Sequence, residues 1–417
     1  VKARIAGKVL WVLAAAAATG ATGWLGLYGF AWNDYNNEAQ PAVEALIHGH
    51  LVTFLKIAPI YGGSLLERAP FALLPGVWGG GPLAVYRMLA LPCLLAAMIL
   101  GLWLVSRMRK RSDGVLACAV ALGICVANPL TLAALEVGHP EELFGGALCV
   151  GAVLLAVRGR PVWAALLLGL AIANKEWALL AVGPVLLALP ARRVLCLTLA
   201  AALSILIVAP FTLVGASVFT AGLHGAVSSS SEIFQPWQIW WFLGHHGPVV
   251  RGLFGVVKPG YRTAPAWIGA ISHPSVLVAG GLFSAALWWS RRDQPRAISE
   301  SDALLLLALV LLTRCMFDTW DNGYYPLPFV LALLCWESLS FRRIPILSLL
   351  SVLAVWAGCT WMPSFASADA QGAFFLAWTL PLAASLSVAL YASRTASVDE
   401  RQLLGKLREP LRALAVD

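Results

Sequence analysis

Charge is what this chain has least of. Of its 417 residues only 12% are Asp, Glu, Lys or Arg, against roughly 25% in an ordinary soluble protein. With 60% hydrophobic residues and a mean hydropathy of +0.79, a soluble enzyme, a disordered tail and a fibrous repeat are excluded. No basic run is interleaved with stacking aromatics on a polar surface, so nucleic acid is not an expected partner. The eight cysteines all fall inside apolar runs and form no CxxC pair, which argues against a disulfide framework or a zinc ribbon. What remains is apolar sequence from end to end, the pattern of one polytopic membrane domain.

Lys2, Arg4 and Lys8 precede a first apolar run, Val9–Phe30. It is long for a signal-peptide core and spans follow it, so a retained first helix is expected. Further spans are expected at Leu83–Val105, Val115–Leu135, Leu143–Val157, Val194–Val214, Pro274–Trp289, Ala303–Phe317, Tyr324–Leu339, Pro345–Trp361 and Phe374–Ala392. The stretch from Pro161 to Leu189 is too long for one span and is interrupted by Asn174-Lys175-Glu176. It reads as two short helices, each about 20 Å long, with that triplet at the tip.

Basic residues cluster at Arg107–Arg111, Arg158/Arg160, Arg192/Arg193, Arg291/Arg292 and Arg342/Arg343. They fall in every second loop, the positive-inside pattern for about twelve helices with both termini in the cytoplasm. The excess of 29 basic over 21 acidic residues, a net +8, fits loops facing anionic lipid. The expected fold class is therefore all-α and polytopic over residues 1–393. Residues 394–417 form a cytoplasmic tail in which Leu403, Leu404, Leu407, Leu411 and Leu414 recur at helical spacing. All seven histidines fall on the outer side, as do the two large loops, 32–82 and 215–273.

Four polar constellations stand out on that side. Asp34 lies about four residues past the first span, where partial desolvation can make a carboxylate a usable base; the alternative is a helix N-cap. Glu136-Val137-Gly138-His139-Pro140-Glu141-Glu142 crowds ionisable groups into one turn. A solvated turn, a donor-binding or cavity-lining role for His139 and Glu141, and a metal set are the readings, the last disfavoured because the residues are contiguous. Lys175 in a membrane hairpin is functional by default and suits a phosphate, unless it pairs locally with Glu176. Arg314 and Asp318, spaced i, i+4, are expected to pair on one helix face. That would leave Asp321, Asn322 and Tyr325 to hold sugar hydroxyls.

These motifs resemble a family. An acidic residue outside span one, a small-residue helix ending in Leu46-x-x-Gly49 and a Tyr–Pro segment beginning at Tyr61 look like the opening of GT-C-type glycosyltransferases. Asn128-Pro129, Gly138-His139-Pro140-Glu141 and Gly169-Leu170-Ala171-Ile172-Ala173-Asn174-Lys175 are similar to glycosyltransferase family 87, which includes polyprenyl-phosphate-mannose-dependent mannosyltransferases of mycobacterial type. Two departures are visible. Tyr35 is adjacent to Asp34 where the family commonly has Tyr three residues on, leaving Glu38 as a reserve base. His139 stands where Gln is common.

The resemblance implies an inverting transfer of a mannose-like or other pentose or hexose unit to a lipid or glycan acceptor. The donor would be a polyprenyl-phosphate sugar at the outer face of a bacterial cytoplasmic membrane. Asp34 would deprotonate the acceptor, and Lys175, with Arg68 or His139, would stabilise the leaving phosphate. No cofactor or metal is implied. A G-x-G-x-x-G following a strand is missing, in keeping with a lipid-linked donor. The competing classes are a secondary transporter or lipid flippase and a non-catalytic assembly subunit; few charges within the spans, no visible internal repeat and long outer loops weigh against transport.

Overall fold

The computed structural model describes residues 2–28, 34–227, 234–251, 256–292 and 297–391; the expected tail, 394–417, lies outside the described residues. The chain forms helices α1 (Lys2–Tyr28), α2 (Gln40–Ile47), α3 (Leu51–Ile57), α4 (Gly62–Ala72), α5 (Pro82–Lys110), α6 (Val115–Val126), α7 (Pro129–Val137), α8 (Glu141–Val157) and α9 (Pro161–Asn174). It continues through α10 (Val182–Ala188), α11 (Arg193–Val214), α12 (Ala216–Val227), α13 (Ala266–Ser290), α14 (Glu300–Phe317), α15 (Leu327–Ser340), α16 (Ile346–Trp356) and α17 (Ala368–Tyr391). Among the described residues each expected apolar run is largely helical. Among the described residues seven helical segments, Val115–Val137 counted as one, are long and apolar enough to cross a membrane, and Pro161–Asn174, Glu176–Ala188 and Leu327–Ser340 are shorter apolar helices.

Several boundaries differ for local reasons. The run Val115–Val137 is broken at Asn128, whose side-chain oxygen accepts from the N–H groups of Leu130 and Thr131. Pro129 follows at the first helical position, where its missing N–H costs nothing. The 161–189 stretch is the expected broken pair: α9 stops at Asn174, Lys175 is extended, and a 3₁₀ turn, Glu176–Ala181, leads into α10. Helix α13 begins at Ala266, eight residues before Pro274, which sits inside it. The second large loop is not purely helical: His245–His246 pairs with Arg262–Thr263 and Val250–Arg251 with Val256–Val257, both antiparallel. Arg262 fastens this ribbon to α17 through two bonds to Asp369, 2.8 and 2.9 Å.

The core is built on α14 and α15. From Ala303 to Met316 no side chain of α14 is exposed, and α15 is buried from Leu327 to Ser338. A helix apolar all round belongs in the centre of the bundle. By contrast α11 and α13 carry exposed Leu206, Leu213, Val278 and Leu282, as a lipid-facing helix should. The basic loops gather at one end. Arg109 reaches the Gly7 carbonyl, Arg111 donates to the Ser338 and Leu339 carbonyls, Arg107 lies 3.4 Å from Glu300, and Arg291 donates to the Leu390 carbonyl. Arg314 sits 14 residues along α14 from Glu300, about 21 Å at the helical rise, and so belongs to the opposite end.

Candidate active site

At that opposite end a cavity of about 700 Å³ opens among the segment between α1 and α4, the α7–α8 turn, the α9–α10 break, α13 and the turn between α14 and α15. Its polar wall holds Asp34, Glu38, Tyr61, His139, Lys175, Glu176, His273, Arg314, Asp318, Asn322 and Tyr325. Its apolar wall is Ile60, Leu179, Leu180, Val276 and Leu277.

Close packing of small residues brings the polar wall together. Gly138 ends α7 at φ +108, and a Cβ there would lie 2.6–2.7 Å from Tyr35. Only glycine allows both the backbone turn and the approach that sets Asp34 beside His139. Gly63 presses α4 against the Ala173 carbonyl, where a Cβ would fall 2.1 Å from oxygen. That contact lets Ser64 donate to Asn174 at 2.6 Å, while Asn174 donates to the Glu141 carbonyl at 3.0 Å.

Asp34 precedes a π-helical turn, Tyr35–Ala39, yet its side chain caps nothing. Its carboxylate is 39% exposed and lies 3.3 Å from His139 Nε2. The capping alternative therefore fails on geometry. Glu38 also lines the cavity and accepts a 2.8 Å bond from the Tyr61 hydroxyl.

His139 is buried, not on a solvated turn, and its Nδ1 lies 2.6 Å from Glu141 Oε1. Burial opposes its proton, but the Glu141 charge and the hydrogen bonds to Asp34 and Glu141 override this and push its pKa up to about 9. With both nitrogens facing carboxylates, the imidazole has no free N–H for a phosphate. Arg68 is fully interior, donating to the Ser64 and Leu89 carbonyls and lying 3.7 Å from Glu141. It supports Glu141 from behind and is not among the cavity's lining residues.

Lys175 does not pair with Glu176, which is exposed. Its Nζ lies 2.9 Å from Glu142 and 3.3 Å from Glu141, within 6 Å of the Tyr61 and Tyr325 rings. Nor does Arg314 pair with Asp318. Both of its terminal nitrogens reach Glu142, each at 3.1 Å, and the guanidinium lies over the Trp177 and Tyr325 rings. Helix α14 ends at Phe317, and Asp318, its C-cap, still donates its N–H to the Arg314 carbonyl; the two side chains part because Glu142 takes the guanidinium. Asp318 pairs instead with His273 at 3.1 Å. Burial raises its pKa, but the His273 hydrogen bond and charge, Arg314 and the Trp320 N–H together hold it below the usual carboxylate range.

Of the residues expected to hold sugar, Asn322 and Tyr325 line the cavity. Asp321 does not. It points into a separate niche with Trp237, Cys359 and Phe375, where neither carboxyl oxygen has a hydrogen-bond partner. Glu141 is fully buried behind His139 and Lys175. Glu142, Arg314, His273 and Trp177 complete the site. The first two each belong to a polar constellation visible in the sequence, but no spacing joins one to the other.

Comparison with known proteins gives three findings. The family model described as glycosyltransferase family 87 matches residues 63–313. No curated protein matches the chain. Among solved structures the chain is similar to ArnT from Cupriavidus metallidurans, crystallised bound to undecaprenyl phosphate. That match has 16% identity and a TM-score of 0.46, covering 91% of this chain and 70% of that one.

Proposed function

Since the chain belongs to glycosyltransferase family 87, with residues 63–313 matched, we propose that it moves a sugar from a polyprenyl-phosphate donor to a hydroxyl of a lipid or glycan acceptor. The observation that carries this reading is one cavity lined by the partly exposed Asp34, by Lys175 and Arg314, and by an apolar wall. Lipid belongs against Ile60, Leu179, Leu180, Val276 and Leu277. The phosphate belongs by the cations. Arg68, Lys175 and Arg314 gather on two buried carboxylates, Glu141 and Glu142, and of the three cations Lys175 and Arg314 also line the cavity.

Asp34 takes the proton of the acceptor hydroxyl as its oxygen bonds to the anomeric carbon. The bond from that carbon to the phosphate oxygen breaks on the opposite face, and the electron pair leaves with polyprenyl phosphate. One displacement inverts the anomeric centre. Lys175, which donates to Glu142 and has further N–H bonds to offer, and Arg314 balance the charge developing on the phosphate. Glu38, Asn322 and Tyr325 are placed to take sugar hydroxyls. Glu141 and Asp321 act from behind the surface. The scheme draws on no metal or cofactor. The alternating basic loops support an outer-face site in a bacterial cytoplasmic membrane, with a mannose-like unit or another pentose or hexose as the group transferred.

The test is purified full-length protein in nanodiscs with radiolabelled polyprenyl-phosphate mannose and a membrane-lipid extract as acceptor. Label should move to a product lipid or glycan with release of polyprenyl phosphate. Transfer from a polyprenyl-phosphate pentose but not from the mannose donor would redefine the sugar. Intact donor across a panel of polyprenyl-phosphate sugars would overturn the reading.

A further inference from the structure

The imidazole of His139 is clasped by two carboxylates from different parts of the chain. Nδ1 lies 2.6 Å from Glu141 Oε1, and Nε2 lies 3.3 Å from Asp34 Oδ2. An ionised carboxylate only accepts, so an imidazole serving both must carry a hydrogen on each nitrogen. The ring cannot readily turn away. Tyr324 stacks on it at 5.0 Å and 21°, and Tyr61 meets its edge at 5.5 Å and 69°.

Building on Asp34 as the general base, we propose that His139 is its positioning residue: an imidazolium anchored by Glu141 that holds one Asp34 oxygen and leaves the other for the acceptor hydroxyl. The order of parts is the reverse of a serine hydrolase triad, where histidine is the base and a carboxylate orients it. Here the carboxylate at the cavity is the base, the histidine orients it, and a buried carboxylate orients the histidine. Glu141 is fixed in turn by Lys175 at 3.3 Å and Arg68 at 3.7 Å, so the chain of contacts runs from the bundle interior to the cavity.

The charged and titratable groups facing the imidazole are Asp34 before the π turn, Glu141 on α8, Lys175 at the end of α9, Tyr61 at the start of α4 and Tyr324 ahead of α15. Glu141 and Asp34 favour the proton, and Lys175 opposes it, leaving the pKa at about 9. Above that pH the ring keeps one N–H and can serve only one carboxylate. Asp34 is then held by a group whose hydrogen the closer Glu141 takes. Activity should fall as pH rises through about 9.

The experiment is a pH–rate profile, pH 6 to 10.5, for full-length protein in nanodiscs with the polyprenyl-phosphate sugar that supports transfer. Wild type should lose kcat with a midpoint near 9. His139→Gln keeps a neutral donor and cannot titrate, so it should retain part of the activity and lose that alkaline limb. His139→Ala should lower kcat by about 10²-fold, the effect of a misplaced reacting group, with donor KM unchanged. Imidazole NMR on wild type, with the His139 signal assigned by its loss in His139→Gln, should show that ring still protonated at pH 8. An alkaline limb unchanged in His139→Gln, a His139 signal titrating below 7, or His139→Ala acting on donor KM alone would each overturn the proposal. Asp34→Asn separates the two readings. If it stays fully active, the base assignment fails. If it is inactive while the His139 results are negative, only the positioning role fails.

Discussion

Arg314 and Glu142, 172 residues apart, meet end-on, with each terminal guanidinium nitrogen 3.1 Å from a carboxylate oxygen. Both side chains are almost wholly buried. A bidentate pair of this kind fixes two elements in orientation as well as distance, and here it locks the start of α8 to the end of α14. Lys175 shares Glu142 Oε1 with Arg314, so the pair also holds the α9–α10 break in place.

Breaking the pair on one side should cost more than removing both charges. Arg314→Met leaves Glu142 short of a partner inside the bundle and should lower stability by about 3–5 kcal/mol. Adding Glu142→Gln, which keeps a polar group beside Lys175, should recover part of that loss. Thermal melting of the purified variants in detergent checks this. A double variant less stable than Arg314→Met would mean that Lys175 depends on the Glu142 charge more than Arg314 does.

The same pair marks the limit of sequence reading. Helical runs, the broken 161–189 pair and the candidates Asp34, His139 and Lys175 were legible because each is a local signal: an apolar period, or an ionisable residue at the edge of an apolar run. Partners were not legible. The i, i+4 spacing of Arg314 and Asp318 favoured a local pair, but residues remote in sequence compete for both: Glu142 takes the guanidinium and His273 the carboxylate. Glu141 and Glu142 are consecutive yet divide their partners. Glu141 meets His139, Lys175 and Arg68, whereas Glu142 meets Lys175 and Arg314. Asp321 looked like a surface residue because its turn is polar; Trp237, Cys359 and Phe375 cover it, and nothing in the local pattern announces that.

Asp321 gives a prediction with a definite sign. Burial, and then the Asp318 charge, hold its pKa well above the usual carboxylate range. An acid whose folded pKa is raised contributes stability below its unfolded pKa, and that contribution is lost as pH rises through the folded value. Asp321→Asn removes the titration at nearly constant shape. The variant should therefore gain melting temperature relative to wild type as pH is raised from 5 toward 9. Equal pH slopes for the two proteins would show that Asp321 is not held protonated.

Lys175 is predicted to act on donor binding. Lys175→Ala should weaken donor affinity by about 1.5–3 kcal/mol, the loss of a charged hydrogen bond. Lys175→Arg should rescue only in part, because a planar fork does not replace a compact ammonium between two tyrosine rings. Binding of a fluorescent polyprenyl phosphate, read beside thermal melting, checks this. Unchanged affinity with a lower melting temperature would assign Lys175 to the ion cluster alone.

Asp34 is the residue on which the reaction rests. A general base contributes roughly 10²–10⁴ in rate, so Asp34→Asn should remove most turnover while melting temperature and donor binding stay close to wild type. The substitution is informative because Asn keeps the shape of Asp, and its amide oxygen can still meet the His139 N–H. Fold and contacts survive, and only the proton acceptor is lost. Glu38→Gln is the companion variant. Glu38 lines the same cavity and accepts from Tyr61, so the amide should still take that hydrogen bond and leave kcat within about tenfold, a placement effect well short of the 10² expected for losing a base. An inactive Glu38→Gln beside an active Asp34→Asn would move the base one helical turn along the chain. Normal transfer by both would mean that the acceptor is deprotonated from another wall of the cavity, with the His273–Asp318 pair next to be tested.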